Sequence, residues 1–146
     1  MHVSYSINQL SAVVRDKVLP LFDSYSIITL TGSVGAGKTT LVKEFLSQAG
    51  VVGLVTSPTF AYVNSYQIPS GKSIHHFDLY RIDSLDSFLM NGFDEYLREE
   101  TSLCIIEWPE VITQLLMGEG FKNRVCHISL QHDASDYTVR HLYISI

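Results

Sequence analysis

A glycine-rich stretch, TLTGSVGAGKTTLVKEFL (residues 29–46), constrains the fold of this chain more than any other feature. Gly32, Gly37, Lys38 and Thr39 satisfy the pattern G-x-x-x-x-G-K-[ST]. The apolar, β-branched run SIITL precedes the pattern, and apolar residues at helical spacing follow it. The sequence therefore predicts a strand, a tight glycine loop and a helix in direct succession, which is the arrangement of a phosphate-binding loop.

The physics of such a loop assigns a role to each of its parts. Successive backbone N–H groups curl round a phosphate, and the helix N-terminus adds partial positive charge. Lys38 should neutralise the β- and γ-phosphate oxygens, and the Thr39 hydroxyl should ligate Mg²⁺. By itself the loop predicts ATP or GTP with Mg²⁺. The predicted contacts are Gly32, Ser33, Val34, Gly35, Ala36, Gly37, Lys38, Thr39 and Thr40.

A second candidate element is the apolar run LCIIE, which ends in Glu107. A carboxylate at the end of a strand beside the loop could hold Mg²⁺ or orient the attacking water. The alternative is a solvated acid just past a strand. Trp108 follows at once, and it either packs on the nucleotide or caps the core.

The run SIHHFDLY (residues 73–80) predicts a further strand with polar residues on it. Neighbouring side chains of a strand point to opposite faces, so His75 and His76 are not expected to share a zinc ion. Asp78 lies on the face opposite Phe77 and is the better candidate for the Mg²⁺ shell.

Hydroxyl residues cluster in the run TSPTF (residues 56–60), soon after the predicted loop helix. P-loop switch proteins often keep a threonine there that senses the γ-phosphate, and Thr59 is the candidate. The alternative reading of a Ser/Thr/Pro cluster is an ordinary turn.

Composition favours one soluble globular domain over residues 1–146, since the chain is 46% hydrophobic and 17% charged. The net charge is -5 and the basic residues are scattered, which disfavours an autonomous DNA or RNA binder. Arg15, Asp16 and Lys17 interrupt the first apolar pattern, and no run of 18 apolar residues occurs. We therefore expect a cytoplasmic protein without a membrane segment.

Strand and helix patterns alternate along the chain and predict a three-layer α/β domain with a mixed, mostly parallel sheet. Helices are expected over residues 6–19, 39–49 and 84–98. Residues 51–55 are expected to form a strand, and residues 131–146 alternate as an edge strand does.

Several separate stretches together resemble the TsaE/YjeE family. They are GSVGAGKTTLVKEFL, SPTF with Tyr62 and Asn64, HFDLYR, Gly92 with Tyr96, and IIEWPE. The resemblance runs from about Ile27 to Glu110, in the family's order. The chain departs from it at Ser33, where the family commonly has Asp, and this should matter little because backbone groups bind the phosphates.

The resemblance implies a P-loop NTPase-like mononucleotide-binding fold that uses ATP with Mg²⁺. It also implies an accessory ATPase of bacterial tRNA threonylcarbamoyladenosine synthesis, in a complex with a TsaD-type transferase and a TsaB-type partner that contact the tRNA. Lys38 and Thr39 carry over as phosphate and Mg²⁺ ligands, and Thr59 as the switch hydroxyl. The carboxylates that handle Mg²⁺ or water carry over as Asp78 and Glu107, and Trp108 carries over as a motif residue without an assigned role.

The alternative function is a small-molecule or nucleotide kinase that uses the same phosphate loop. A kinase clamps its acceptor under a lid with several arginines, which excludes water. The region offers only Arg81, Arg98 and Arg124, with no arginine-rich insertion.

Overall fold

A parallel block of strands carries the glycine loop in the computed structural model, which describes residues 1–58 and 60–146. The described residues form a seven-stranded sheet in the order β1-β7-β6-β2-β5-β4-β3. The strands are β1 His2–Ser6, β2 Ile27–Thr31, β3 Val63–Gln67, β4 Ser73–Asp78, β5 Ser102–Glu107, β6 Val125–His132 and β7 Val139–Ser145.

Strand directions give the sheet its mixed, mostly parallel character, as predicted. β4, β5, β2 and β6 pair in parallel, while β3 and β7 flank this block in antiparallel pairing. β1 pairs antiparallel with β7 and therefore runs in the direction of the block. The carboxyl ends of the block strands consequently meet at one edge of the sheet, where α/β folds bind their ligands.

Helices cover both faces of the sheet and complete the predicted three layers. They are α1 Leu10–Val13, α2 Lys38–Gln48, α3 Leu85–Met90, α4 Asp94–Arg98 and α5 Thr113–Leu116. One core cluster joins α2 and the N-terminal helical segment to the sheet, with Phe45 and Ile28 among its buried members. The other joins α3, α4 and α5 to the opposite face, with Phe88 and Ile106 buried in it. Each fully buried side chain of this size contributes about 1.5–3 kcal/mol.

Four local predictions from the sequence were wrong in position, extent or type. The helix predicted over residues 84–98 is two helices, α3 and α4, separated by a turn at residues 91–93. Residues 51–55 form no strand: Val52 and Leu54 are 95% and 86% exposed, so this apolar run pairs with no neighbour. Residues 131–146 do not form one edge strand. They contain the end of β6 and all of β7, and β7 is an inner strand because β1 pairs on its outer side.

The first predicted helix is a composite rather than one regular α-helix. A 3₁₀ turn at Ile7–Gln9 leads into α1, a π-helical turn follows at Val14–Val18, and a second 3₁₀ segment spans Leu19–Asp23. The helical path therefore continues past Pro20. Among the helices of the described residues, none is long and apolar enough to cross a membrane.

Candidate functional site

A cleft of about 340 Å³ opens at the carboxyl edge of the sheet, between the glycine loop and the ends of β4 and β5. Its volume falls within the usual range for small-molecule sites, about 300–1,000 Å³. The residues that line it come from three separate parts of the chain: Val34, Gly35, Gly37, Lys38, Thr39, Thr40, Asp78, Tyr80, Glu107 and Trp108.

Glycine is required at the first position of the loop for two reasons. Gly32 has φ +136°, a conformation that L side chains rarely adopt. A Cβ on Gly32 would also lie 2.3 Å from the backbone oxygen of Leu130 in β6. The loop therefore packs directly on the neighbouring strand, and this close approach sets where the loop turns into α2.

Lys38 begins α2 and folds back across the loop. Its Nζ donates to the backbone oxygens of Gly32 at 2.6 Å and Ser33 at 3.0 Å, and the residue is only 5% exposed. Burial lowers the pKa of the Lys38 ammonium, and the nearby carboxylates of Glu107 and Asp78 oppose that shift. A buried cation in this position is suited to bind anionic oxygens.

Glu107 lies at the end of β5, and its carboxylate is buried against α2. Thr39 Oγ1 lies 3.0 Å from both of its carboxylate oxygens. His76 Nε2 lies 2.8 Å from Glu107 Oε1, and His76 and Glu107 are 0% and 2% exposed. The reading of Glu107 as a solvated acid is therefore wrong.

Asp78 lies beside Glu107 at the same edge of the sheet, because β4 and β5 pair in parallel with these two residues in register. Asp78 is half-buried, and its Oδ1 accepts a hydrogen bond from the backbone N–H of Tyr80 at 3.1 Å. The two carboxylates and the Thr39 hydroxyl supply oxygen atoms, the ligand type that Mg²⁺ prefers.

Trp108 lies at the boundary between the cleft and the core. Its ring lines the cleft and also packs against the core cluster between the sheet and helices α3, α4 and α5. Its backbone has φ 59° and ψ 59°, the left-handed region, and its N–H donates to the Leu30 oxygen at 3.2 Å. This strained conformation directs the indole over Lys38, whose Nζ lies 3.9 Å from the ring centroid.

The other predicted site residues divide into three groups. Gly32, Ser33 and Ala36 shape the loop without lining the cleft. Val34, Gly35, Gly37 and Thr40 line it. Thr59 lies outside the described residues.

Sequence reasoning missed three residues beside the cleft. Tyr80 lines it and packs on Trp108, with ring centroids 4.9 Å apart. His132, at the end of β6, contacts the loop through Nε2, 2.9 Å from the Gly35 oxygen. His76 contacts Glu107. A motif signal existed for His76 and Tyr80, which are the first and last residues of HFDLY, but none existed for His132.

The two adjacent histidines point to opposite faces, as predicted. His75 contacts Ser65 Oγ at 2.7 Å and Glu99 Oε2 at 3.1 Å, on the side away from α2. Within residues 1–58 and 60–146, no cluster of three or more His, Cys, Asp or Glu side chains could hold a metal ion.

Two arginines considered for a kinase lid lie away from the cleft. Arg98 pairs with Asp94 on α4 and packs over Phe121. Arg124 Nε donates to Ser26 Oγ at 2.8 Å, at the start of β2 and hence at the opposite edge of the sheet. Neither lines the cleft in the described part of the chain.

Comparison with curated proteins gives relatives of one name, "tRNA threonylcarbamoyladenosine biosynthesis protein TsaE". The chain is 43% identical over 84 residues to that of Haemophilus influenzae, covering 58% of this chain and 52% of the relative. It is 36% identical over 93 residues to the protein of Bacillus subtilis, covering 64% of this chain and 56% of the relative. It is 38% identical over 116 residues to the protein of Rickettsia conorii, covering 73% of this chain and 65% of the relative. The matched segments thus span between about half and two thirds of these relatives.

Comparison with solved structures supports the fold independently. The crystal structure of Bacillus subtilis YdiB superposes with a TM-score of 0.69 at 22% sequence identity, over 100% of this chain and 86% of that one. The family model for "Threonylcarbamoyl adenosine biosynthesis protein TsaE" matches residues 6–141. With a match over nearly its whole length, the chain belongs to the TsaE family.

Proposed function

We propose that this protein is a Mg²⁺-dependent ATPase that acts as an accessory subunit in the formation of N6-threonylcarbamoyladenosine next to the anticodon of tRNA. The observation that carries the proposal is the convergence of Lys38, Thr39 and Glu107 on one cleft, in a chain of the TsaE family. The cleft combines a buried cation with buried and half-buried carboxylates. A magnesium nucleotide requires this pairing of charges.

The side chains of the cleft fit the proposed ligands. Lys38 and the loop backbone would hold the phosphates, and Trp108 and Tyr80 offer aromatic surface beside them. Thr39, Glu107 and Asp78 would hold Mg²⁺ directly or through water. A protein cage is not needed, since Mg²⁺ is usually bound by one or two carboxylates together with substrate phosphates and waters.

The proposed chemistry is hydrolysis of the terminal phosphate. Bound Mg²⁺ would neutralise the charge on the phosphate oxygens. Glu107 and Asp78 would orient the attacking water from the strand ends, and Lys38 would stabilise the negative charge of the transition state. Glu107 is only 2% exposed, so its carboxylate is largely shielded from bulk water.

The kinase alternative receives less support from the described residues. Arg98 and Arg124 lie away from the cleft, so neither can clamp an acceptor there. The net charge of -5 also supports an indirect contact with tRNA, through a TsaD-type transferase and a TsaB-type partner that hold the RNA.

Reconstitution tests this proposal. The protein is mixed with TsaB-type and TsaD-type partners, the enzyme that makes the threonylcarbamoyl intermediate, ATP and unmodified tRNA, and the threonine incorporated per complex is measured. We expect several turnovers only when this chain is present. Lys38→Ala should abolish the dependence, whereas Lys43→Ala, an exposed lysine of α2, should preserve it.

Two results would contradict the proposal. Threonine incorporation that does not depend on this chain would remove the accessory role. Rapid phosphate transfer from ATP to a metabolite by the isolated protein would favour the kinase.

A further inference from the structure

Three polar side chains form a line that runs from the cleft into the core: Thr39 of α2, Glu107 of β5 and His76 of β4. Thr39 Oγ1 is 3.0 Å from both Glu107 oxygens, and His76 Nε2 is 2.8 Å from Oε1. His76 does not line the cleft, and its whole side chain is excluded from solvent. It therefore has no route to a ligand except through Glu107.

The sheet register explains why His76 reaches Glu107. Ile105 lies opposite His76 and Glu107 opposite Asp78, so His76 is the diagonal neighbour of Glu107 on the adjacent strand. Side chains two residues apart on a strand share a face. His76 and Asp78 thus both face α2, one behind Glu107 and one beside it.

His76 is costly to bury unless the contact with Glu107 has a use. Its Nδ1 is buried and has no hydrogen-bond partner within the described residues. An unsatisfied buried polar atom costs about 1–3 kcal/mol, and an apolar side chain of similar size would avoid that cost. The bond from Nε2 to Glu107 is thus the polar contact that this histidine provides.

The two oxygens of Glu107 have different surroundings. Oε1 accepts from His76 and lies near Thr39 Oγ1, whereas Oε2 contacts only Thr39 among the described hydrogen bonds. The Thr39 hydroxyl has one proton, which it can give to either oxygen. A carboxylate whose Oε1 is held by His76 therefore keeps lone pairs on Oε2 for another partner.

We propose that His76 is a positioning residue, which anchors Oε1 of Glu107 so that Oε2 is presented to Mg²⁺ or to a Mg²⁺-bound water. The inference rests on the proposed function, since it assigns a role within the same site. Without the hydrogen bond from His76, the Glu107 carboxylate can rotate about its terminal torsion, so that its two oxygens exchange positions. Loss of a residue that hydrogen-bonds a metal ligand in this way typically lowers metal affinity by about 10–100-fold.

The test compares nucleotide binding with and without Mg²⁺ in full-length variants, using a fluorescent ADP analogue. His76→Leu removes the hydrogen bond. His76→Gln keeps a donor at about the reach of Nε2, whereas His76→Asn is too short to reach Glu107. We expect the Mg²⁺-dependent gain in affinity to fall about tenfold in His76→Leu and His76→Asn and to be restored in His76→Gln. In EDTA, the nucleotide affinity of each variant should stay within about twofold of that of the unaltered protein, because the anchor acts only through the metal.

His75→Leu is the matched control, since His75 is the adjacent histidine, is 5% exposed and contacts Glu99 and Ser65 on the other face. It should leave the Mg²⁺-dependent gain unchanged. The Gln and Asn variants carry the same amide group, so their comparison decides the question if His76→Leu fails to fold. Equal Mg²⁺-dependent gains in His76→Gln and His76→Asn would overturn the positioning role. Absence of nucleotide binding by the unaltered protein would instead overturn the proposed function.

Discussion

Thr39 Oγ1 lies 3.0 Å from both carboxylate oxygens of Glu107, although 68 residues separate the two in the chain. This contact connects the first turn of α2 to the end of β5, the strand that pairs with β2 and β4. It places the hydroxyl predicted to bind Mg²⁺ against the carboxylate predicted to handle metal or water.

Glu107→Gln should retain nucleotide binding in EDTA, lose most of the Mg²⁺-dependent gain in affinity and reduce ATP hydrolysis by at least about 100-fold, since the amide keeps the shape and loses the charge. Steady-state hydrolysis, measured with the partner proteins present, and nucleotide affinity of the same preparation check this. Glu110→Gln is the control. Glu110 is exposed, and its substitution removes the same charge near Lys38. An equal loss of affinity and of hydrolysis would recast Glu107 as a binding or folding residue.

Lys38→Met should change the fluorescence of Trp108, the single tryptophan of the chain, because it removes an ammonium 3.9 Å from the ring centroid. It should also weaken ATP binding by at least about tenfold, since a desolvated charge contact to phosphate is lost. Emission spectra of the free proteins measure the first effect, and a titration with Mg-ATP followed by tryptophan emission measures the second. Lys43→Met, on the exposed face of α2, should leave the spectrum and the affinity unchanged. The same spectrum from Lys38→Met and the unaltered protein would contradict the cation–π contact.

Gly32→Ala should destabilise the protein more than Gly71→Ala, although both glycines have positive φ, +136° and +85°. A Cβ at Gly32 would meet the Leu130 oxygen at 2.3 Å, whereas a Cβ at Gly71 has nothing within 4 Å. We expect backbone strain to lower the free energy of unfolding of each variant by about 1–2 kcal/mol, and the clash to lower that of Gly32→Ala further. Thermal unfolding measures the difference, at roughly 2–4 °C per kcal/mol for a chain of this size. Similar melting temperatures for the two variants would show that the loop can move off β6.

The buried thiol of Cys104 should make stability fall as the solution becomes alkaline. Burial raises its pKa to about 12, against about 8.5 in an unfolded chain. Above pH 8.5 the native state keeps a proton that the unfolded state releases, so the stabilisation is complete below that pH and is lost as pH rises toward 12.

Urea unfolding of the unaltered protein and of Cys104→Ala, at pH 7 and pH 9.5, isolates this effect. The difference in free energy of unfolding between them should narrow by about 1 kcal/mol at the higher pH. Cys126 is present in both proteins and cancels in the comparison. A difference that does not change with pH would mean that Cys104 ionises in the native state as readily as in the unfolded chain.

Much of the candidate site could be predicted from the sequence because its parts are local motifs. The glycine loop carries its own strand and helix, and LCIIE and HFDLY each end a strand with an acid. The carboxyl ends of parallel strands meet at one edge of a sheet, so Lys38, Asp78 and Glu107 were expected to lie near one another. The three-layer fold followed from the same alternation of strands and helices.

The strand predictions for short apolar runs were wrong where strand pairing depends on distant parts of the chain. Residues 51–55 have the composition of a strand, yet the sheet gives them no neighbour to pair with. β7 is an inner strand because β1, from the other end of the chain, pairs along its outer side.

The sequence by itself determined the glycine loop, its charged residues and the class of fold, since each of these depends on spacing within a few residues. Tertiary structure decided which side chains meet. The parallel register of β4 and β5 puts His76 behind Glu107, and the order of strands brings His132 to the Gly35 carbonyl, 97 residues away. Strand register and order arise from packing across the whole sheet, and no short stretch of sequence encodes them.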